Sequence, residues 1–470
     1  MSQISGDTHA NSSDFVNRHD HLRARRRVIA VAGLALVLIA SLGGCVNSGD
    51  QSPVASGLSP GATGSAAAPA PPPDLTLRAR PVVYPHTSDI GADPPATFAC
   101  RVFKLQGSYT LESYTDQLCC LRRNRYDLTY PESQLCLLDP SSGALHTVLS
   151  RPVNARARFE IMETSVSDRW LAWVEISPGD DLRFPAHWRL YAARISADRV
   201  SLRAPFIVDK GYTPQRERPL FHVDGNRLAW STVSGSPAHW HDTLRIIDLR
   251  RRSVHIAYRT PEGVRIDRPS LDGDSVWFST PQSAGSSSRV LRVYSASSGR
   301  PTLVLPLNNG KKNISDFHDF HDGWFAWAVY ARGYAHPMLY VREPGGRVHK
   351  VKSSTGVAVA ADYMIFLKNT VNDELPVTTW ALDLKTMRQF EMPDLTTTWA
   401  TQGSWGAPSS NGYCRRLFVV ANDERGFRGQ NGKFTYLRVY DLTSLREGAS
   451  GQSPQPAPTV VPTEVITAGL

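Results

Sequence analysis

The chain has 470 residues, of which 52 are Lys or Arg and 43 are Asp or Glu, giving a formal charge of +9. The basic residues are scattered rather than clustered, which argues against nucleic acid and leaves an anionic leaflet or acidic envelope polymers as electrostatic partners. The length is too great for one ordinary core, and the six cysteines, none at ligand spacing, argue against a zinc site.

In chain order, Arg23, Arg25, Arg26 and Arg27 come first, followed by an apolar run from Val28 to Leu42. A basic stretch, a short apolar run and small residues predict a secretory signal peptide. The run falls short of the roughly 20 apolar residues that span a bilayer. Leu42-Gly43-Gly44-Cys45 resembles the lipobox of bacterial lipoproteins. The resemblance implies removal of residues 1–44, a lipid on the Cys45 thiol, and a protein anchored at the extracytoplasmic face of a membrane. Two or more acyl chains, at about 0.8 kcal/mol per buried CH2, would make that anchor stable. Residues 45–73 are rich in Ser, Gly, Ala and Pro and read as a disordered tether, and residues 447–470 read as a low-complexity tail.

Residues 74–446 carry a repeat. An apolar triplet recurs as Leu118-Cys119-Cys120, Leu171-Ala172-Trp173, Leu228-Ala229-Trp230, Val276-Trp277-Phe278, Phe325-Ala326-Trp327, Met364-Ile365-Phe366 and Leu417-Phe418-Val419. Asp224-Gly225, Asp272-Gly273 and Asp322-Gly323 stand just ahead of three of them, a strong hairpin signal. A second strand-like run follows each triplet, as in Leu244-Arg245-Ile246-Ile247-Asp248. The unit repeats roughly every 40 to 58 residues, the length of a β-propeller blade. No amphipathic helical period of useful length interrupts it. Asp224-Gly225-Asn226-Arg227-Leu228-Ala229-Trp230 resembles the blade motif of TolB-like and Tricorn-type β-propellers, which implies an all-β fold and says little about activity. Seven units predict seven blades of four antiparallel strands; a six-bladed ring with the first unit as a cap stays open. Unit seven lacks an obvious fourth strand, and the strand-like segment 74–84 is expected to supply it.

Five cysteines remain after Cys45: Cys100, Cys119, Cys120, Cys136 and Cys414. In an oxidising compartment they could form disulfides. First and last units are neighbours in a closed ring, so a bridge from Cys414 to Cys100, Cys119 or Cys120 could lock the seam. All five buried and reduced is the alternative. His187, His239 and His336 fall at equivalent places between second and third strands, so they could converge on one face; repeat memory explains them as well. His318 and His321 stand at i, i+3 on a strand and point to opposite faces. No catalytic motif, metal set or cofactor fingerprint appears. The expected function is a binding or scaffolding module at the envelope, with a protein or cell-envelope partner, and an enzymatic role stays open. The alternative is a hydrolase or lyase on envelope sugars or peptides, with its site at the channel mouth. Converging carboxylates there would favour the enzyme.

Overall fold

The computed structural model describes residues 90, 92–124, 133–154, 159–177, 187–212, 218–236, 239–286, 288–307, 314–330, 338–352, 354–360, 362–368, 378–396, 414–421, 434–447, 459–460 and 463–464. Leu42, Gly43, Gly44, Cys45, His336 and the segment 74–84 lie outside them.

The described residues form strands and no helix, in seven small sheets that make a seven-bladed β-propeller. Blade 3 shows the pattern: Leu220–Asp224, Arg227–Gly235, Trp240–Asp248 and Ser253–Arg259 pair antiparallel in sequence order. The first strands of blades 1 to 4 touch in succession around the ring axis, as do those of blades 5 and 6, and the fourth strands lie outermost. The triplets of units two to six sit in the second strand of their blades, Leu118-Cys119-Cys120 leads into the second strand of a regular first blade, and Leu417-Phe418-Val419 lies in the first described strand of the last. That blade is therefore no cap, and the six-bladed alternative falls.

The last blade is closed by the chain's other end. Its described strands run Arg416–Ala421, Phe434–Glu447, Ala96–Gln106 and Thr459–Val460. Ala96–Gln106 pairs antiparallel along the whole of its length with Phe434–Glu447, from Ala96↔Glu447 to Gln106↔Phe434. The N-terminal closure expected of 74–84 is thus supplied by a strand further along. Two short parallel strands then extend the outer edges at the seam: Thr459–Val460 beside Lys104 and Leu105 of blade 7, and Thr463–Glu464 beside His146 and Thr147 of blade 1.

There is no single core. Seven apolar clusters each join two neighbouring blades, and the seventh joins blade 7 to blade 1. Both faces of every blade are covered, so side chains that alternate across a strand are apolar on both sides. Trp277 packs toward blade 5 while Phe278, next in sequence, packs toward blade 3. Cys119, Cys136 and Cys414 belong to the cluster at the seam. All five described cysteines are free thiols, so pairing and packing hold the seam in place of a disulfide. The Cys414 thiol donates to Asp116 Oδ1 at 3.2 Å. Burial pushes the Cys119, Cys120 and Cys414 thiols well up, and Cys136 to about 11, which makes them poor nucleophiles.

The Asp-Gly turns do more than reverse the chain. Gly225 (φ +52°) and Gly273 (φ +59°) supply the left-handed geometry of the hairpin. The Asp carboxylates reach the next blade: Asp224 Oδ2 accepts from Gly273 N at 3.0 Å and Asp272 Oδ2 from Asp322 N at 2.7 Å. Thr115 donates to Asp168 at 2.6 Å, and Arg415 N to Asp116 at 2.6 Å, so turn groups also link blades 1 and 2 and blades 7 and 1.

Asp272 also pairs with the buried His321 Nδ1 of blade 5 at 3.3 Å. Burial works to lower the His321 pKa, but its bond to Asp272 and the charges of Asp272, Asp319 and Asp322 leave it raised. Burial likewise works to raise Asp272, and the His321 bond, the Asp322 N–H and the His321 and His222 charges leave it lowered. The histidine's contribution to stability is present below its unfolded pKa and is lost as pH rises through its raised folded value. That of the aspartate is present above its unfolded pKa and is lost as pH falls through its lowered folded value. Together they stabilise most between about pH 4 and pH 6.5. We expect His321→Gln to cost about 2 kcal/mol at pH 5.5 and clearly less at pH 8.5, read by urea unfolding. An equal loss at both values would show that the pair carries no charge-dependent stability.

Candidate functional site

Charged side chains gather along the inner strands of blades 1 to 4. The inner strand of blade 1, Ser108–Tyr114, departs from regular pairing between Leu111 and Ser113, leaving Glu112 as the bulged residue. Glu160–Val166 of blade 2 breaks register between Ile161 and Glu163. Bulges re-aim side chains and are common beside functional sites. Here they act on strands that border the ring axis. Arg218 and Arg268 stand just ahead of the inner strands of blades 3 and 4, each followed by a proline that keeps the entry extended.

Arg122 Nε pairs with Glu112 Oε1 at 2.7 Å, and Arg122 Nη1 donates to the Ile161 carbonyl of blade 2 at 3.1 Å. Glu163 is held from both sides: Arg218 Nη2 lies 3.4 Å from Oε1 and Arg268 Nη2 3.2 Å from Oε2. The five side chains therefore form a pair in blade 1 and a triad across blades 2 to 4, joined through the bond of Arg122 to the backbone of blade 2. Glu112 is nearly enclosed, at 9% side-chain exposure, whereas Arg268 and Arg218 keep 36% and 42%. Burial pushes the Glu112 carboxyl up against its Arg122 pair; the Glu163 charge adds to the rise and Arg268 opposes it. Glu160 is also raised by burial, with Arg122 opposing. As these two carboxyls take up protons, the three guanidiniums leave the cluster positive. Such a site can hold a carboxylate through forked guanidinium bonds while presenting a protonated carboxyl as an acid.

The residues singled out from sequence are placed elsewhere. His187 opens the third strand of blade 2, exposed, with its ring 4.6 Å from that of Tyr212. His239, also exposed, lies 2.8 Å from Glu262. Each is engaged within its own blade. Glu175, an isolated carboxylate on the second strand of blade 2, is fully buried and accepts from Val153 N at 2.6 Å, Asn154 N at 3.2 Å and Trp173 Nε1 at 3.0 Å. It fastens a connection between blades and is not open to an ion. Among the described residues no group of three or more His, Cys, Asp or Glu is placed to hold a metal. Sequence reasoning missed the channel cluster. Its signal was present: Arg218-Pro219 and Arg268-Pro269 recur ahead of successive Asp-Gly turns, and Glu112 and Glu163 interrupt strand-like runs.

No protein-family model matches the chain, and no curated protein matches it. Among solved structures it is similar to a prolyl endopeptidase, with 13% identity and a TM-score of 0.46 over 69% of this chain and 45% of that one. It is also similar to oligogalacturonate lyase from Vibrio parahaemolyticus, with 8% identity and a TM-score of 0.45 over 75% and 98%. A third is the β-propeller domain of the Trilobed protease from Pyrococcus furiosus, with 10% identity and a TM-score of 0.40 over 62% and 84%. The chain spans less than half the length of the prolyl endopeptidase. Most of these neighbours are enzymes, and the likeness concerns the propeller fold alone.

Proposed function

We propose that the propeller takes a carboxylate-bearing ligand, an acidic sugar or peptide of the cell envelope, into its channel and acts on it as a hydrolase or lyase. One observation carries this reading: Glu112 and Glu163 stand on neighbouring inner strands, each paired with guanidiniums, with the Glu112 carboxyl pushed up by burial and further by the Glu163 charge. Carboxyl groups in unlike environments suit acid–base chemistry, and guanidiniums suit the charge of the ligand. In this reading Arg218 and Arg268, the more exposed of the cations, meet the ligand, and Arg122 positions Glu112. The lipid on Cys45 and the 45–73 tether would hold the ring at the extracytoplasmic face, within reach of such polymers.

The second reading, a binding module without turnover, is supported by the guanidinium partners that Glu112 and Glu163 already have. The test is incubation of the full-length chain with a polyuronic acid and with poly-glutamate, following new reducing ends, new amines and unsaturated products. Product formation supports the enzyme. Retention on the immobilised polymer without product supports the binding module, and neither outcome with either polymer sinks both.

A further inference from the structure

The outer edge of blade 3 differs from the other outer edges of the ring. Its last strand, Ser253–Arg259, ends its sheet, and nothing among the described residues pairs beyond it. Val254 and Ile256 lie on one side of it and are 49% and 48% exposed, two of the five exposed large apolar side chains among the described residues. Natural sheet edges are normally guarded by Lys, Pro or other charges. The other outer strands follow that rule: Phe206–Tyr212 sets Asp209 and Lys210 beside its 44% exposed Ile207, Pro301–Pro306 has proline at both ends, Val348–Lys352 carries Lys350 and Lys352, and Arg388–Thr396 carries Pro393 and Asp394. The outer edges of blades 7 and 1 are already covered by Thr459–Val460 and Thr463–Glu464. The outer strand of blade 3 thus carries no Lys, Pro or carboxylate and has its one arginine at its last residue, Arg259, in a ring whose outer edges accept an added strand at two other places.

The surroundings of this edge select its occupant. Arg250, Arg251 and Arg252 precede the strand and Arg259 ends it, all four exposed. Arg252 is held over the Phe206 ring at 4.4 Å, and Arg250 Nε donates to Asn226 at 3.0 Å, so two of these cations are fixed in place. A second copy would bring its own Arg250, Arg251, Arg252 and Arg259 to the same edge, like charge near like, which is unfavourable. A strand with carboxylates at both ends and β-branched residues between them meets the arginines and covers Val254 and Ile256.

We propose that the outer edge of blade 3 is a docking site for an extended acidic segment of another protein, which adds to the sheet as a fifth strand. Main-chain hydrogen bonds to Ser253–Arg259 give the affinity, and the flanking arginines give the selectivity.

The test uses the full-length chain and a labelled peptide, Glu-Thr-Val-Thr-Val-Thr-Glu, beside a version with Lys at both ends. Fluorescence anisotropy measures binding, and hydrogen exchange locates it. We expect the Glu-ended peptide to bind about tenfold more tightly than the Lys-ended one and to slow exchange at residues 253–259. Val254→Lys with Ile256→Lys should abolish binding at an unchanged thermal midpoint. The second variant, Arg251→Glu with Arg259→Glu, should reverse the peptide preference. The proposal is overturned by equal binding of both peptides, by unchanged binding to the double-Lys variant, by protection confined to other blades, or by no binding of either peptide. A concentration-dependent dimer dissolved by the double-Lys variant would also overturn it, in favour of a second copy.

Discussion

Removal of residues 96–106 is expected to abolish cooperative unfolding of the propeller. This strand closes the ring, and it serves two of the seven interfaces at once. Ala96 and Phe98 pack in the cluster shared with blade 6, while Phe103 and Leu105 pack in the one shared with blade 1. All four are at most 4% exposed. Truncating one such Phe or Leu to Ala costs about 2–5 kcal/mol. Losing the whole strand removes three of them, together with its backbone pairing to Phe434–Glu447. That sum reaches the roughly 5–15 kcal/mol that a folded domain holds in total. It also exposes a long strand edge on the last blade. Circular dichroism melting and dye binding should show a broad transition and exposed apolar surface. A sharp melt within a few degrees of the intact chain would refute the closing role. Phe98→Ala and Phe103→Ala, tested singly, should each lower the midpoint while keeping a single transition.

The second large effect concerns the channel. If the ring turns over an acidic ligand with Glu112 as proton donor, Glu112→Gln should lower turnover by about 10²- to 10⁴-fold. Ligand binding should survive, because Arg218 and Arg268 are untouched. The amide keeps the shape of the side chain and an acceptor for Arg122, so the melting midpoint should move little. Arg268→Ala should do the opposite, weakening binding about tenfold with a smaller loss of turnover. The pH profile gives an independent check. The Glu112 carboxyl is pushed up chiefly by burial, and a donor must be protonated. Activity should therefore persist above the ordinary carboxylate range and fall as pH rises through the raised value. A variant that binds and turns over like the parent would remove Glu112 from the mechanism. Equal loss of binding and turnover would make it part of the binding site only.

The seven triplets and their spacing made the propeller legible because blade packing imposes a local rule. Each second strand is covered on both faces, so it must be apolar at consecutive positions and carry large side chains such as Trp173, Trp230 and Trp327. The Asp-Gly signal was read as a turn and is one, because the left-handed backbone at glycine is a local property. The Asp carboxylate's bond to the next blade could not be read that way. It joins residues some fifty positions apart, Asp224 with Gly273 and Asp272 with Asp322.

The channel cluster shows the same division. Glu112, Glu163, Arg218 and Arg268 come from four separate blades, and no sequence window contains them together. Their shared meaning appears only when the inner strands surround one axis, with Glu112 on the bulge of blade 1 and Glu163 directly after that of blade 2. The histidines read as a converging set obeyed the repeat, yet His187 and His239 each found a partner inside its own blade.

By itself the sequence determined an all-β ring of repeated blades, because hydrophobic alternation and turn chemistry act over a few residues. It also located the missing strand at the N-terminal side, although not at the right segment. The tertiary structure decided which strand closes the ring, which thiols meet at the seam, and which charges share the channel. Those outcomes depend on contacts between residues far apart in the chain, and local pattern does not encode the partner at such distances.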